Sequence, residues 1–226
     1  MVEEGGVVVG TLPLALAAAV CEKGAEFLCL TMDQVPAEMS GQALSAEDMD
    51  NLNATVTPMA VQAVDVTPSS NVICVTRHAG AQEWLARQGI TAEVRKHLTL
   101  VDISHAPKGT TFIGVLPPAM VAEITANGHQ FIALDINVPR ELFKVEMTAD
   151  MMEELGAKLQ GYKVAKYGYQ AVVANIYDHD GYNTDEGNIC HTFDQAEKEI
   201  EGLKGKGDSI EETLGGVIRI RIPENF

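Results

Sequence analysis

Apolar and polar positions alternate along this chain in short blocks that recur. Val7–Val9 and Thr111–Ile113 read as short buried strands. Each runs into a turn of the same make-up, Gly10-Thr11-Leu12-Pro13 in one case and Gly114-Val115-Leu116-Pro117 in the other. The apolar runs behind those turns predict helices that begin near the proline, where a missing N–H costs nothing. They should end at Gly24 and Gly128, placed as C′ glycines. Second strands are expected at Phe27–Thr31 and Phe131–Ile136. After an irregular proline-containing segment, Ser45-Ala46-Glu47-Asp48 and Thr148-Ala149-Asp150-Met151 read as N-caps of further helices.

The two blocks align in a single register. Gly10 falls on Gly114, Leu12 on Leu116, Pro13 on Pro117, Ala18 on Ala122, Gly24 on Gly128, Phe27 on Phe131 and Leu30 on Leu134. Pro36 and Glu38 meet Pro139 and Glu141 after one gap. Such a repeat marks each copy as one folding module. Strand, helix, strand, helix predicts an α/β fold with parallel sheets.

Upstream of the second copy lie three more elements. Asn71–Thr76 reads as a strand, Gly80–Gln88 as a helix and Thr91–Arg95 as another strand. Nothing before Gly5 corresponds to them, so the first copy is expected to be a truncated module. The expected divisions are 1–70 for that module, 71–162 for the complete one, and 163–226 for a small β-α-β appendage. In the appendage, Tyr169–Tyr177 reads as a strand and residues 178–188 as a polar loop. Thr192–Leu203 follows as an amphipathic helix capped by Thr192, and Gly216–Ile222 as a strand with Arg219 and Arg221 on one face. The loop is acid-rich, but it lacks glycine at the sixth place and glutamate at the twelfth from Asp178, so it does not follow the EF-hand pattern.

Charge changes the picture more than length does. Of 226 residues, 32 are Asp or Glu and 16 are Lys or Arg, a formal net charge of −16. Counterion release needs a basic surface, so no long nucleic acid is expected as a partner. The imbalance is uneven: residues 1–70 hold ten acids and one base, while residues 71–162 hold ten acids and eight bases. A polyanion, if bound, belongs in the middle third. The apolar runs Leu12–Cys21 and Val7–Val9 are too short to cross a membrane. Met1-Val2-Glu3-Glu4 lacks the basic start of a signal peptide. Cys21, Cys29, Cys74 and Cys190 have no paired spacing and read as free thiols of a reducing cytoplasm.

The candidate chemistry sits at the end of the strand 71–76. Val72-Ile73-Cys74-Val75 breaks off into Thr76, Arg77 and His78, then Ala79-Gly80-Ala81. In open α/β sheets, ligands lie beyond the carboxyl ends of the strands. Arg77 offers a fixed fork to phosphate oxygens, and His78 can move a proton near neutral pH. Gly80 would let the chain pass close to a ligand. The turns at Gly114–Pro117 and Gly10–Pro13 should present helix N-termini to an anion. The bland alternative pairs Arg77 with a carboxylate and leaves His78 a strand cap. His97, His105, His129, His179 and His191 read as structural or solvent-facing, with His97 and His105 in a loop-like stretch. No cofactor and no metal cluster is expected.

The stretch V-T-R-H-A-G-A-Q-E-W-L-A-R-Q-G-I, followed by K-G-T-T-F-I-G-V-L-P, L-D-I-N-V-P-R-E-L and T-A-D-M-M-E-E-L-G-A-K-L, resembles the Csx sixteen family. These are small accessory proteins of type III CRISPR antiviral defence. Residues 71–162 carry the family pattern in order, and residues 5–54 carry its second half again with G-T-L-P, L-T-M-D and L-S-A-E-D-M. The resemblance implies Rossmann-like, CARF-like modules that dimerise. It also implies a ring nuclease that binds cyclic tetra-adenylate and linearises it, switching off the antiviral signal. Carried over, it makes Arg77 and His78 catalytic, with Gly114, Val115, Leu116 and Pro117, and their repeat equivalents Gly10, Thr11, Leu12 and Pro13, as ligand-binding positions; Thr76 and Gly80 join them from their place at the strand end. The family dimer should bring two strand-end Arg-His pairs, whereas this chain has one, so a second chain could complete the site. Three alternatives stay open: a sponge that holds the ring without cutting it, a histidine-phosphatase-like enzyme, whose motif has glycine where this chain has Ala79, and a scaffold or regulatory protein whose appendage touches a partner.

Overall fold

The computed structural model describes residues 2–32, 36, 39, 43–142, 145–177, 181–190, 193–203 and 212–221. Its elements begin with β1 (Val7–Gly10), α1 (Leu14–Glu22), β2 (Glu26–Thr31), α2 (Ala46–Asn51) and β3 (Thr55–Val64). Then follow β4 (Val72–Val75), α3 (Ala79–Arg87), β5 (Glu93–Arg95), α4 (Leu100–His105), β6 (Thr111–Gly114), α5 (Pro118–Ala126), β7 (Gln130–Asp135) and α6 (Ala149–Glu154). The last are β8 (Lys158–Tyr177), β9 (Gly181–Cys190), α7 (Phe193–Leu203) and β10 (Glu212–Arg221). This is an α/β fold of the Rossmann-like kind, as the residue pattern leads one to expect.

The repeat is visible as a succession. β1-α1-β2-α2-β3 and β6-α5-β7-α6-β8 follow one another in the same order. The punctuation matches too. Gly24 and Gly128 lie one residue past the caps Lys23 and Asn127, with φ of +72° and +75°. That is the left-handed conformation glycine adopts without strain. Ser45 and Thr148 cap α2 and α6 by accepting the N–H of Asp48 and Met151.

Contacts divide the chain into two compact units. One comprises Met1–Phe27 and Ala60–Ala165 with the last three residues, and the other comprises Leu28–Met59 and Lys166–Pro223. The sheet runs β1-β2-β3-β8-β7-β6-β4-β5. Outward from its middle the order is β3-β2-β1 on one side and β8-β7-β6 on the other, with β4 and β5 added beyond β6 only. The sheet is mixed rather than parallel. β5, β4, β6 and β7 are parallel neighbours, but β8 pairs β7 antiparallel because it returns after the short helix α6.

In the first unit, α3 packs on α6. Cys74, Ala81, Trp84, Leu85, Ile113, Leu134, Met147, Ala149 and Met152 form one buried cluster between these helices and the sheet. Each large apolar side chain buried there stabilises the fold by roughly 1.5–3 kcal/mol. Gly80 makes the approach of α3 feasible, because a Cβ on it would collide with the carbonyl oxygen of Met147 and lie within 2.6–2.7 Å of Thr148 backbone atoms.

In the second unit, the later part of β8 pairs antiparallel with β10, from Tyr167↔Arg221 to Ile176↔Glu212, and with β9 on its other edge. α7 packs on β9 and β10, burying Ala196 and Ile200. The expected polar loop is therefore corrected over Gly181–Asn188, which belongs to β9. Residues 178–180, the cap Thr192 and Ile222 lie outside the described residues.

Candidate functional site

Three parallel strands stop level with one another. Val75 at the end of β4 is paired with Arg95 at the end of β5 and with Gly114 at the end of β6. The Thr76 N–H donates to the Arg95 carbonyl at 2.9 Å, which carries the ladder one step further. The residues that follow the three ends are Thr76-Arg77-His78, Lys96-His97-Leu98 and Val115-Leu116. All eight line one pocket of about 650 Å³, closed by Leu134, Ile136, Val138, Met147 and Met152. That volume lies within the range of small-molecule sites, roughly 300–1,000 Å³. Gly114 is needed at the junction, since a Cβ there would lie 2.6 Å from the Val75 carbonyl oxygen.

The pocket has two characters. Arg77, His78, Lys96 and His97 supply its polar side, and among the described residues no Asp or Glu lines it, although the Glu146 carboxylate stands against His78. Arg77 and Lys96 are exposed, and neither makes an ion pair or side-chain hydrogen bond to another described residue. Arg95, one residue before Lys96, behaves differently. Its guanidinium is held by Glu93 at 2.8 Å and Asp102 at 3.2 Å, and these partners raise its pKa, the Glu93 hydrogen bond most. The other side is apolar. Leu134, Met147 and Met152 are 3–5 % exposed and belong to the core cluster, so they form a firm floor.

His78 is the N-cap of α3 and is half-buried. Its Nδ1 lies 3.4 Å from the Met147 nitrogen and 3.4 Å from Glu146 Oε2. The two contacts serve different protonation states. A neutral ring accepts the Met147 N–H at Nδ1, and a doubly protonated ring donates from Nδ1 to Glu146. Either way Nε2 is the nitrogen left for a ligand. Glu146 also accepts the Ala79 N–H at 3.0 Å, so the N-terminus of α3 already faces a carboxylate of the protein itself.

The expected anion site at the turn Gly114–Pro117 is depleted of donors. Pro117 caps α5 and Pro118 opens it, and neither has an N–H. The Met120 and Val121 amides are already bonded to the Pro117 carbonyl. Pro117 and Gly80 are not among the lining residues, and Gly80 faces the 147–148 backbone instead. Gly10, Thr11, Leu12 and Pro13 follow β1, five places from β6 in the sheet, or about 24 Å at ~4.8 Å per strand. Gly10 keeps the backbone of its counterpart, φ +153° against +158° at Gly114.

Sequence reasoning passes over Lys96 and reads His97 as structural or solvent-facing, yet both line the pocket. The signal was available: they follow an expected strand as Arg77 and His78 follow theirs. His105 ends α4 rather than lying in a loop. Its Nδ1 is 2.8 Å from the Val101 carbonyl. His129 is buried, with Nε2 3.0 Å from the Ile103 carbonyl and its ring edge-on to Phe112. Among the described residues there is no group of three or more His, Cys, Asp or Glu placed to hold a metal ion, and no helix is long and apolar enough to cross a membrane.

No curated protein and no solved structure matches this chain. Residues 1–62 and 73–165, more than half of the chain, match the family described as "Putative CRISPR-associated protein (Cas_VVA1548)". The match takes in both copies of the repeat and every residue lining the pocket. The chain belongs to this family of CRISPR-associated proteins.

Proposed function

We propose that the pocket binds cyclic tetra-adenylate and that the protein opens this ring, acting as a ring nuclease within type III CRISPR signalling. The observation that carries the reading is the pocket lining. Two cations without a side-chain partner among the described residues and two imidazoles stand at the level strand ends, with no acid in the described lining, over an apolar floor. An acidic protein repels long polyanions but can focus a positive potential in one cleft. A phosphodiester would take the Arg77 and Lys96 side, and a purine face would lie on Leu134, Met147 and Met152. The resemblance to the Csx sixteen family supplies the ring itself.

The chemistry needs no water in its first step. A ribose 2′-oxygen attacks its own phosphorus, the P–O5′ bond breaks, and a 2′,3′-cyclic phosphate and a 5′-hydroxyl result. Arg77 would hold the phosphate and stabilise the charge that builds on it. His78, with Nδ1 tied to Glu146 and Met147, would exchange a proton through Nε2. The same tie favours a second reading, a non-cleaving sponge in which His78 only caps α3.

Titration with cyclic tetra-adenylate and with linear RNA tests binding, and chromatography of the products tests cleavage. Tighter binding of the ring with a linear product is the expected result. Tight binding without product leaves the sponge, and equal affinity for linear RNA refutes the cyclic-nucleotide reading.

A further inference from the structure

We propose that His97 is a second catalytic residue of this pocket, the base that takes the 2′-hydroxyl proton while His78 gives one to the leaving oxygen. The proposal rests on the nucleolytic reading above and goes beyond it in assigning the two proton positions. Attack by a 2′-hydroxyl releases a proton at O2′ and requires one at O5′, on opposite sides of the phosphorus. One imidazole cannot serve both places at once. The pocket holds two imidazoles on two different strand ends.

Register places them. With Val75 paired to Arg95, Arg77 and His97 each stand two residues beyond the last ladder pair of adjacent parallel strands. Neighbouring strands lie about 4.8 Å apart, a separation over which side chains from both ends can reach one phosphodiester. Arg77 and Lys96 then flank the phosphate from the same two ends.

The surroundings separate the roles. Glu146 Oε2 lies 3.4 Å from His78 Nδ1, where it accepts the second proton of a charged ring. That contact, on the nitrogen opposite the one left for a ligand, gives the proton-donating position to His78. The Asp102 carboxylate, at the start of α4 just beyond His97, is occupied by the Thr99 hydroxyl and N–H and by Arg95. The charged side chains that share the pocket with His97 are the cations Arg77 and Lys96. That leaves the proton-accepting position to His97. In the step, the O2′ proton passes to His97, O2′–P forms, P–O5′ breaks, and O5′ takes the proton from His78. Exchange with solvent resets both rings.

The test is single-turnover cleavage with saturating full-length protein, using cyclic tetra-adenylate and a version with sulfur in place of one O5′. Sulfur leaves without needing a proton. His97→Ala should bind a 2′-O-methyl ring as the wild type does, yet cleave about a hundredfold more slowly or worse, and the sulfur should not rescue it. His78→Ala should be rescued by sulfur. His97→Gln should behave as His97→Ala, with unchanged Trp84 emission showing that the fold is intact. Undiminished cleavage by both His97 variants, or sulfur rescue of His97→Ala, overturns the proposal while leaving the ring-nuclease reading in place. Binding without cleavage by the wild type overturns both catalytic readings, and absence of binding overturns the pocket assignment itself.

Discussion

Gly80→Ala adds one carbon at the tightest point between α3 and the segment before α6. The added Cβ would sit 2.6–2.7 Å from the Thr148 carbonyl carbon and Cα, and closer still to the Met147 carbonyl oxygen. Carbon contacts are comfortable near 3.5–4.0 Å, so the two segments must part by about 1 Å. The obstruction is backbone on both sides, so no side chain can swing away to relieve it. Overpacking of this kind costs about 1–3 kcal/mol, and backbone against backbone belongs at the upper end. For a chain of this size 1 kcal/mol moves Tm by roughly 2–4 °C, so about 3 kcal/mol lowers it by roughly 6–12 °C. The chain reports on the event itself. Its single tryptophan, Trp84, is 3 % exposed on α3, and its Nε1–H donates to Glu153 Oε2 on α6 at 2.7 Å. Widening the gap admits water to the indole and shifts its emission to the red. Thermal melts followed by circular dichroism and by tryptophan emission supply both readings. A Tm within 1 °C of wild type together with unchanged emission would refute the argument that Gly80 sets the α3–α6 distance.

Other outcomes follow from single contacts. Arg77→Ala and Lys96→Ala should each weaken cyclic tetra-adenylate binding about 10–100-fold, the worth of a charge-assisted hydrogen bond. Both should leave Tm within about 2 °C, because neither cation has a side-chain partner among the described residues. Thr99→Ala removes the cap of α4, with an expected loss of about 1 kcal/mol seen in urea unfolding at pH 7. The Thr99 hydroxyl and N–H hold the Asp102 carboxyl below its ordinary 3.8. The share that comes from the Thr99 hydroxyl on the carboxylate is therefore present above pH 3.8 and fades as acid protonates Asp102, so the gap between wild type and variant should narrow as pH falls below 3.8, the Asp102 N–H bond to Thr99 Oγ1 remaining. Burial pushes the Cys74 thiol up to about 11 from 9.0. The native state keeps the proton longer than the unfolded chain, so stability should fall as pH rises from 9 towards 11, with a shallower fall in Cys74→Ala. A thiol reagent at pH 8 should reach Cys74 only on unfolding.

The repeat was legible because its signals are local. A glycine at C′, a hydroxyl at N-cap and a proline at a helix start each act within a few residues, and Gly24, Gly128, Ser45, Thr148 and Pro118 do so here. What escaped depends on distant partners. β9 reads G-Y-N-T-D-E-G-N-I-C, poor in strand formers, and is a strand because β8 pairs with it residue by residue. β3 carries Pro58 in its middle, which argues against a strand in sequence. α4 spans six residues, and its capping box, Thr99 with Asp102, is its sole local signature. At the site, Arg77 and His78 stood out because they interrupt an apolar run. Lys96 and His97 follow Glu93-Val94-Arg95, a strand already polar, so nothing in the local contrast marked them. Their place in the pocket comes from β5 lying beside β4, which is a long-range fact.

The level ends of β4, β5 and β6 act as a ruler ruled in backbone hydrogen bonds, and the pocket is read off against it. Substitution and insertion should therefore leave opposite marks on this protein. Positions 77, 96 and 97 hang beyond the ruler, so exchanging their side chains changes the pocket lining while the folded frame stays as it was. One residue inserted between Gly89 and Lys96 changes no side chain at the rim, yet it advances Lys96 and His97 a notch and turns each to the face the other held. A library of single insertions should show a gap over that stretch where a library of substitutions shows tolerance, and the gap would map the ruler without any structure at all.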